Sequence, residues 1–159
     1  MLLFLLSMVA FAAPAKSFRE YVVGGPCPTG DEWSMGEMTD NLRVWTRQDE
    51  KMSIGDAVLT NVDWLCWDTD TETSVLAGVM LRFPNTSGPP LLETLTLTWG
   101  SPLQANKYIQ SYLWMGGPVS GYLSYNNIDG GVLLLSHTAT MNQVRAAKQS
   151  RAAAASDDL

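Results

Sequence analysis

Four short runs near the start of the chain decide how it is read: Arg19-Glu20-Tyr21-Val22-Val23-Gly24-Gly25, Glu32-Trp33, Asn41-Leu42-Arg43-Val44-Trp45, and Met52-Ser53-Ile54-Gly55-Asp56-Ala57-Val58-Leu59. Phe18 to Val23 is an apolar and aromatic run stopped by Gly24, Gly25 and Pro26, the pattern of a strand entering a turn. Pro28, Gly30 and Asp31 prolong that loop. Asp40 to Arg47 predicts a short helix, with Asp40 as N-cap and Leu42 and Trp45 three apart on one face. Gly55-Asp56 marks a turn, and Ala57-Val58-Leu59 leaves it as a strand.

Working outward, the same pattern continues. Val62 to Leu65 and Thr73 to Leu76 predict strands on either side of an acidic loop. Pro84, Gly88, Pro89 and Pro90 make Arg82 to Pro90 a connection. Leu91 to Trp99 alternates, with Leu95, Leu97 and Trp99 on one side and Thr94, Thr96 and Thr98 on the other, as a half-buried strand does. Ile109 to Met115, Gly121 to Tyr125 and Val132 to Leu135 complete the strands. Asn126-Asn127-Ile128-Asp129-Gly130-Gly131 forms a hairpin turn between the last two. Many short strands separated by turns predict an all-β sandwich. From Gln143 to Ala155 the chain is Ala-rich with Arg145, Lys148 and Arg151, a helical or disordered, solvated C-terminal tail. The expected organisation is a signal peptide over 1–15, one domain over 16–140 and a tail over 141–159.

The totals agree with one globular domain. The chain has 159 residues, 46% of them hydrophobic and 16% charged. A net charge of −6 argues against nucleic acid, because phosphate binding needs clustered Lys and Arg. Met1 to Ala12 is almost wholly apolar and leads into Ala13-Pro14-Ala15, a small-residue cleavage site, so the chain is expected to be secreted. The competing reading is a buried N-terminal helix or strand. No later apolar run approaches the ~18 residues of a membrane span, so no transmembrane span is expected. Cys27 and Cys66 allow a single pairing. A bridge would contribute about 3–4 kcal/mol through loop closure, and the alternative is two unpaired thiols.

The order of motifs from Arg19 to Pro89 resembles the phytocyanins, the plant branch of the small blue copper proteins. That family opens on a strand ending in Val-Gly-Gly, continues with Gly-Trp and a further Trp, and then carries a Val-Gly-Asp-x-Leu strand. The resemblance implies a cupredoxin-like Greek-key β-sandwich with a short helix, an extracellular or apoplastic setting in a plant, and electron transfer through type 1 copper. The ligands do not follow. Type 1 copper needs two imidazoles and a thiolate, and the sequence has one histidine, His137. In the run Asp68 to Leu76, Thr73 occupies the place of the family's first ligand histidine. Pro84 stands where a family cysteine would be, ahead of Asn85-Thr86-Ser87. Past Pro90 neither the family's aromatic strand nor its His-Cys pair is found. The chain is thus nearest the early nodulin-like members, many of which lack copper ligands, although it carries no hydrophobic tail of the kind a GPI anchor needs.

Other chemistry is weighed in the same way. His137 lacks a nucleophile elbow and fits a strand-end residue. Asp68, Asp70 and Glu72 alternate, but Thr73 and Val79 stand where a calcium loop needs Gly and Glu. No spacing selects a carboxylate pair for hydrolysis, so no enzyme activity is expected. Of the six tryptophans, Trp33 and Trp45 fit the core, leaving Trp64, Trp67, Trp99 and Trp114 as candidates for sugar stacking. Asn85 heads an N-glycosylation sequon in a Pro/Gly-rich loop. The expected function is non-redox binding or structure outside the cell, with wall carbohydrate or an extracellular protein as partner and no cofactor. The alternatives are a blue-copper electron carrier, in which copper is the cofactor, and a carbohydrate-binding module.

Overall fold

The computed structural model describes residues 13–39, 42–68 and 73–156. A hairpin of β1 (Ser17–Phe18) and β2 (Tyr21–Val22) opens the fold. It is followed by β3 (Trp33–Thr39), β4 (Leu42–Arg47), a second small hairpin of β5 (Ser53–Ile54) and β6 (Ala57–Val58), β7 (Asn61–Asp68) and β8 (Ser74–Phe83). A 3-10 turn, Asn85–Ser87, leads into helix α1 (Gly88–Trp99). Then come β9 (Ser111–Trp114), β10 (Val119–Asn126), β11 (Gly130–His137) and helix α2 (Thr138–Ser156). Seven strands form one antiparallel sheet in the order β3-β4-β7-β8-β11-β10-β9. Along β8-β11-β10-β9 the order is that of a Greek key traced backward. Hairpins join β11, β10 and β9, and β8 lies beside β11 while its chain returns to β9 through α1. The chain is mostly β, in line with the all-β expectation, and the tail, expected to be helical or disordered, is helical; the short helix lies at Gly88–Trp99, where a strand was expected, and Leu42–Arg47 is not helical.

Cross-strand partners share a face of a sheet, and two rows of partners build the core. Trp64, Val79, Leu135, Gly121 and Trp114 form one, and Val62, Leu81, Leu133 and Leu123 the other. All the side chains in these rows are buried. The layer above them comes from α1 through Leu91 and Leu95, from β1 through Phe18, and from Ala57 and Leu59. Gly121 has no side chain because the ring of Trp99 and Pro14 fill the space. A Cβ there would lie 3.1 Å from Trp99 Cζ3 and 3.2 Å from Pro14 Cγ. Pro14, in the middle of the expected cleavage site, is therefore packed on the sheet. The apolar run over 1–12 lies outside the described residues.

Three local expectations are corrected. Leu91 to Trp99 is helix, not strand. Leu91, Leu95 and Trp99 recur every fourth residue and turn one stripe toward the sheet, leaving Leu97 81% exposed. Pro89 and Pro90 sit in the first turn, where a missing N–H costs nothing. Leu42 to Arg47 is strand, not helix, and every residue of it is half-buried between β3 and β7. The tail is helical, and its first turns are docked instead of solvated. Thr140 and Val144 are buried, and Met141, Val144, Arg145 and Lys148 face Leu42, Val44 and Leu65 across a shallow groove of about 380 Å³. Among the described residues no helix is long and apolar enough to cross a membrane.

Cys27 and Cys66 form a disulfide with their Cα atoms 5.9 Å apart. It fixes a segment that pairs with the start of β8 through Gly24 N–H to Leu76 O (2.7 Å), Leu76 N–H to Gly25 O (2.8 Å) and Cys27 N–H to Ser74 O (3.1 Å).

Candidate functional site

A cleft of about 640 Å³ opens on the core side of the sheet. Four stretches far apart in sequence wall it: residues 15–20 around β1, residues 51–55 entering the second hairpin, one flank of α1, and the middle of β11. Leu95, Leu133 and Leu135 back it, with Phe18 and Trp99 at the sides. These are core residues, so the cleft floor is apolar. The helical stripe that turns Leu91 and Leu95 inward also sets Thr94 and Thr98 along the cleft wall. The mouth carries Ser17, Arg19, Glu20, Lys51, Ser53 and Thr94.

The charges at the mouth are mostly committed. Arg19 has a left-handed backbone, φ +53°, and closes the turn between β1 and β2. Its guanidinium is ion-paired with Glu50, donates to the Lys51 carbonyl, and lies over the Phe18 ring at 4.9 Å. Burial lowers the Arg19 pKa from its ordinary value. Glu50 also accepts the indole N–H of the fully buried Trp64, at 2.9 Å. Glu20 pairs with Arg47 at 2.6 Å. Its pKa is lowered, first by its own backbone N–H and then by Arg47, while the bond to Glu20 raises Arg47. Lys51 is different. Its side chain is exposed, and among the described residues its ammonium has no acidic partner. Tyr21, Trp33 and Trp64 pack edge-on, with centroids 5.2–5.5 Å apart, and the Trp64 ring lies 5.4 Å from that of Phe18.

The residues singled out in the sequence lie elsewhere. Asn85 is exposed on the 3-10 turn, and its amide donates to the Asn127 carbonyl at 2.9 Å. Ser87, the hydroxyl residue of the sequon, is buried and accepts the Val58 N–H at 3.0 Å. His137 ends β11 with Nδ1 2.8 Å from the Thr140 hydroxyl. Asp68 is held by Arg43 and Ser74, and Asp70 and Glu72 lie outside the described residues. Among the described residues no three His, Cys, Asp or Glu side chains are grouped for a metal. A type 1 copper centre does not fit this donor set: the only imidazole of the chain is His137, and the disulfide takes both thiols. No tryptophan is among the exposed apolar side chains. Trp33, Trp64 and Trp114 are buried, and Trp45, Trp67 and Trp99 are half-buried.

Sequence reasoning missed Lys51, Glu50, Thr94 and Thr98. Only the four-residue spacing of Leu91, Leu95 and Trp99 carried a signal, since it sets Thr94 and Thr98 on the flank of one helix. Comparison with protein-family models, curated proteins and solved structures finds no match to this chain.

Proposed function

We propose that the chain is a non-redox binding protein that holds a small, mostly apolar molecule in the cleft between α1, β1, the second hairpin and β11. One observation carries this reading: a cleft of about 640 Å³ with a leucine floor and a hydroxyl- and charge-bearing mouth. Such a mix, a dry body with a few polar groups at one end, is the usual make-up of a small-molecule site. An extracellular setting is supported by the apolar start of the chain, the bridge and the exposed Asn85 of the sequon. The test uses the neutral fluorophore N-phenyl-1-naphthylamine. Its emission is expected to rise saturably at one molecule per chain. Thr98→Trp, at an exposed position on the cleft wall, is expected to abolish the rise without unfolding the protein. A non-saturable signal, or one indifferent to Thr98→Trp, overturns the proposal.

A cupredoxin-type ancestry is a second reading, favoured by the Greek-key order of β8, β11, β10 and β9 together with the Arg19–Pro89 motifs. In that reading the scaffold persists and binding has replaced electron transfer. Its test is Cu(II) titration, with no intense blue band expected; a stoichiometric blue species would restore the electron-carrier alternative. The carbohydrate alternative has no exposed Trp for stacking, and a glycan signal lost on replacing Trp67 or Trp99 would revive it.

A further inference from the structure

Taking the cleft as the binding site, we propose that its occupant is an anionic single-chain amphiphile, an acyl carboxylate whose tail lies against Leu95, Leu133 and Leu135 and whose head meets Lys51. This rests on the binding reading above and adds the chemistry of the ligand. The chain as a whole is acidic, with a net charge of −6, yet among the charged residues lining the cleft two are cations, Arg19 and Lys51, and one is an anion, Glu20. Arg19 is occupied by Glu50, and Glu20 by Arg47. What remains for a ligand is the Lys51 ammonium, with the hydroxyls of Ser17, Ser53 and Thr94 on the same rim. None of these four groups hydrogen-bonds to another described side chain. An ammonium and several O–H donors around one opening match a carboxylate, which only accepts. A cation would meet Lys51 without a counter-charge. A ligand with no chain would leave most of a cleft lined by Phe18, Ile54, Leu95 and Trp99 without an apolar partner, so a bare anion is not the better fit.

The acid-for-alcohol comparison isolates the head, and chain length isolates the tail. The full chain is titrated by calorimetry with dodecanoate, octanoate and 1-dodecanol, all below micelle formation. Dodecanoate is expected to bind one per chain. Octanoate, shorter by four methylenes, is expected to bind on the order of 100-fold more weakly. Lys51→Ala is expected to weaken dodecanoate about fivefold, and Lys51→Glu about tenfold, while both leave 1-dodecanol unchanged. Lys51 is exposed, so neither variant threatens the fold. Equal binding of the acid and the alcohol, with Lys51→Ala inert, overturns the anionic head and leaves the cleft reading standing. Failure of all three, together with failure of the neutral fluorophore, overturns both.

Discussion

Glu50 is expected to be the most costly polar side chain in the molecule to remove. Its carboxylate is only 7% exposed, and it serves two buried groups at once, the Arg19 guanidinium and the Trp64 indole N–H. Glu50→Ala orphans the indole N–H of a fully buried tryptophan, a loss of about 1–3 kcal/mol. It also strips the counter-charge from Arg19. Breaking a fully buried pair costs about 3–5 kcal/mol, but the Arg19 side chain is 17% exposed and can turn part of its charge to water, so the low end applies. The two losses overlap, and a total of about 3 kcal/mol is expected. Glu50→Gln keeps an acceptor for Trp64 and removes only the charge, for about 1–2 kcal/mol. Urea unfolding followed by tryptophan fluorescence resolves the two. With a slope of about 2 kcal/mol per molar for a domain of this size, the midpoint should fall by about 1.5 M for Ala and less than about 1 M for Gln. A double-mutant cycle with Arg19→Met completes the test, since two groups in direct contact should couple by at least about 1 kcal/mol. A Glu50→Ala midpoint within error of the parent, or a coupling near zero, would refute the account of this corner.

Three other sites in the fold carry expected outcomes of their own. Replacing both Cys27 and Cys66 by Ser removes a bridge across 39 residues and should cost about 4 kcal/mol by loop entropy, read as a lowered urea midpoint; non-reducing thiol titration of the denatured parent should find no free thiol. Gly130→Ala should cost about 2–3 kcal/mol, because Gly130 has φ +88° and a Cβ there would lie 2.1 Å from the Phe83 carbonyl oxygen; a midpoint unchanged from the parent would contradict the turn geometry. Burial, and then the hydrogen bond with Tyr112, push the Tyr125 phenol up to about 12. A raised folded-state pKa gives stability that is complete below the ordinary tyrosine value of about 10 and fades as pH climbs from there toward the folded value. Tyr125→Phe should flatten that alkaline decline in a pH series of urea midpoints, and an unchanged decline would refute the assignment.

Much of the β architecture was legible because its signals were local. The Asn126–Gly131 turn, the runs of β7, β10 and β11, and the helical tail each depend on a few adjacent residues. Two of the corrected segments satisfy two periods at once. In Leu91 to Trp99, Leu95, Leu97 and Trp99 alternate while Leu91, Leu95 and Trp99 recur every fourth residue, and threonine between leucines favours the strand reading. What decides is the pair of prolines ahead of it, which suit a helix's first turn and leave Leu97 to water. In Leu42 to Arg47 the three-residue spacing of Leu42 and Trp45 imitates a helix, whereas a strand covered on both faces, here by α2 on the Leu42 and Val44 side, need not alternate at all.

The cleft was out of reach for a different reason. No window of sequence contains two of its walls: residues 15–20, 51–55, 94–99 and 133–135 meet only after the sheet has formed and α1 has packed against it. Lys51 in particular lies in a polar run, Gln48-Asp49-Glu50-Lys51, that resembles any solvated turn. Folding splits that run. It draws Glu50 inward to Trp64 and Arg19 and leaves Lys51 outside at the mouth, so two adjacent and opposite charges end with opposite tasks. The inward carboxylate cancels Arg19, and that cancellation leaves the mouth's attraction for an anion to the single lysine. The stability of Glu50 variants and the ligand charge preference of Lys51 variants therefore report on one arrangement. Glu50→Gln frees Arg19 at the rim and should raise dodecanoate affinity in the same protein whose urea midpoint it lowers. A fall in both would mean that Arg19 holds the cleft's shape and contributes no charge to its ligand.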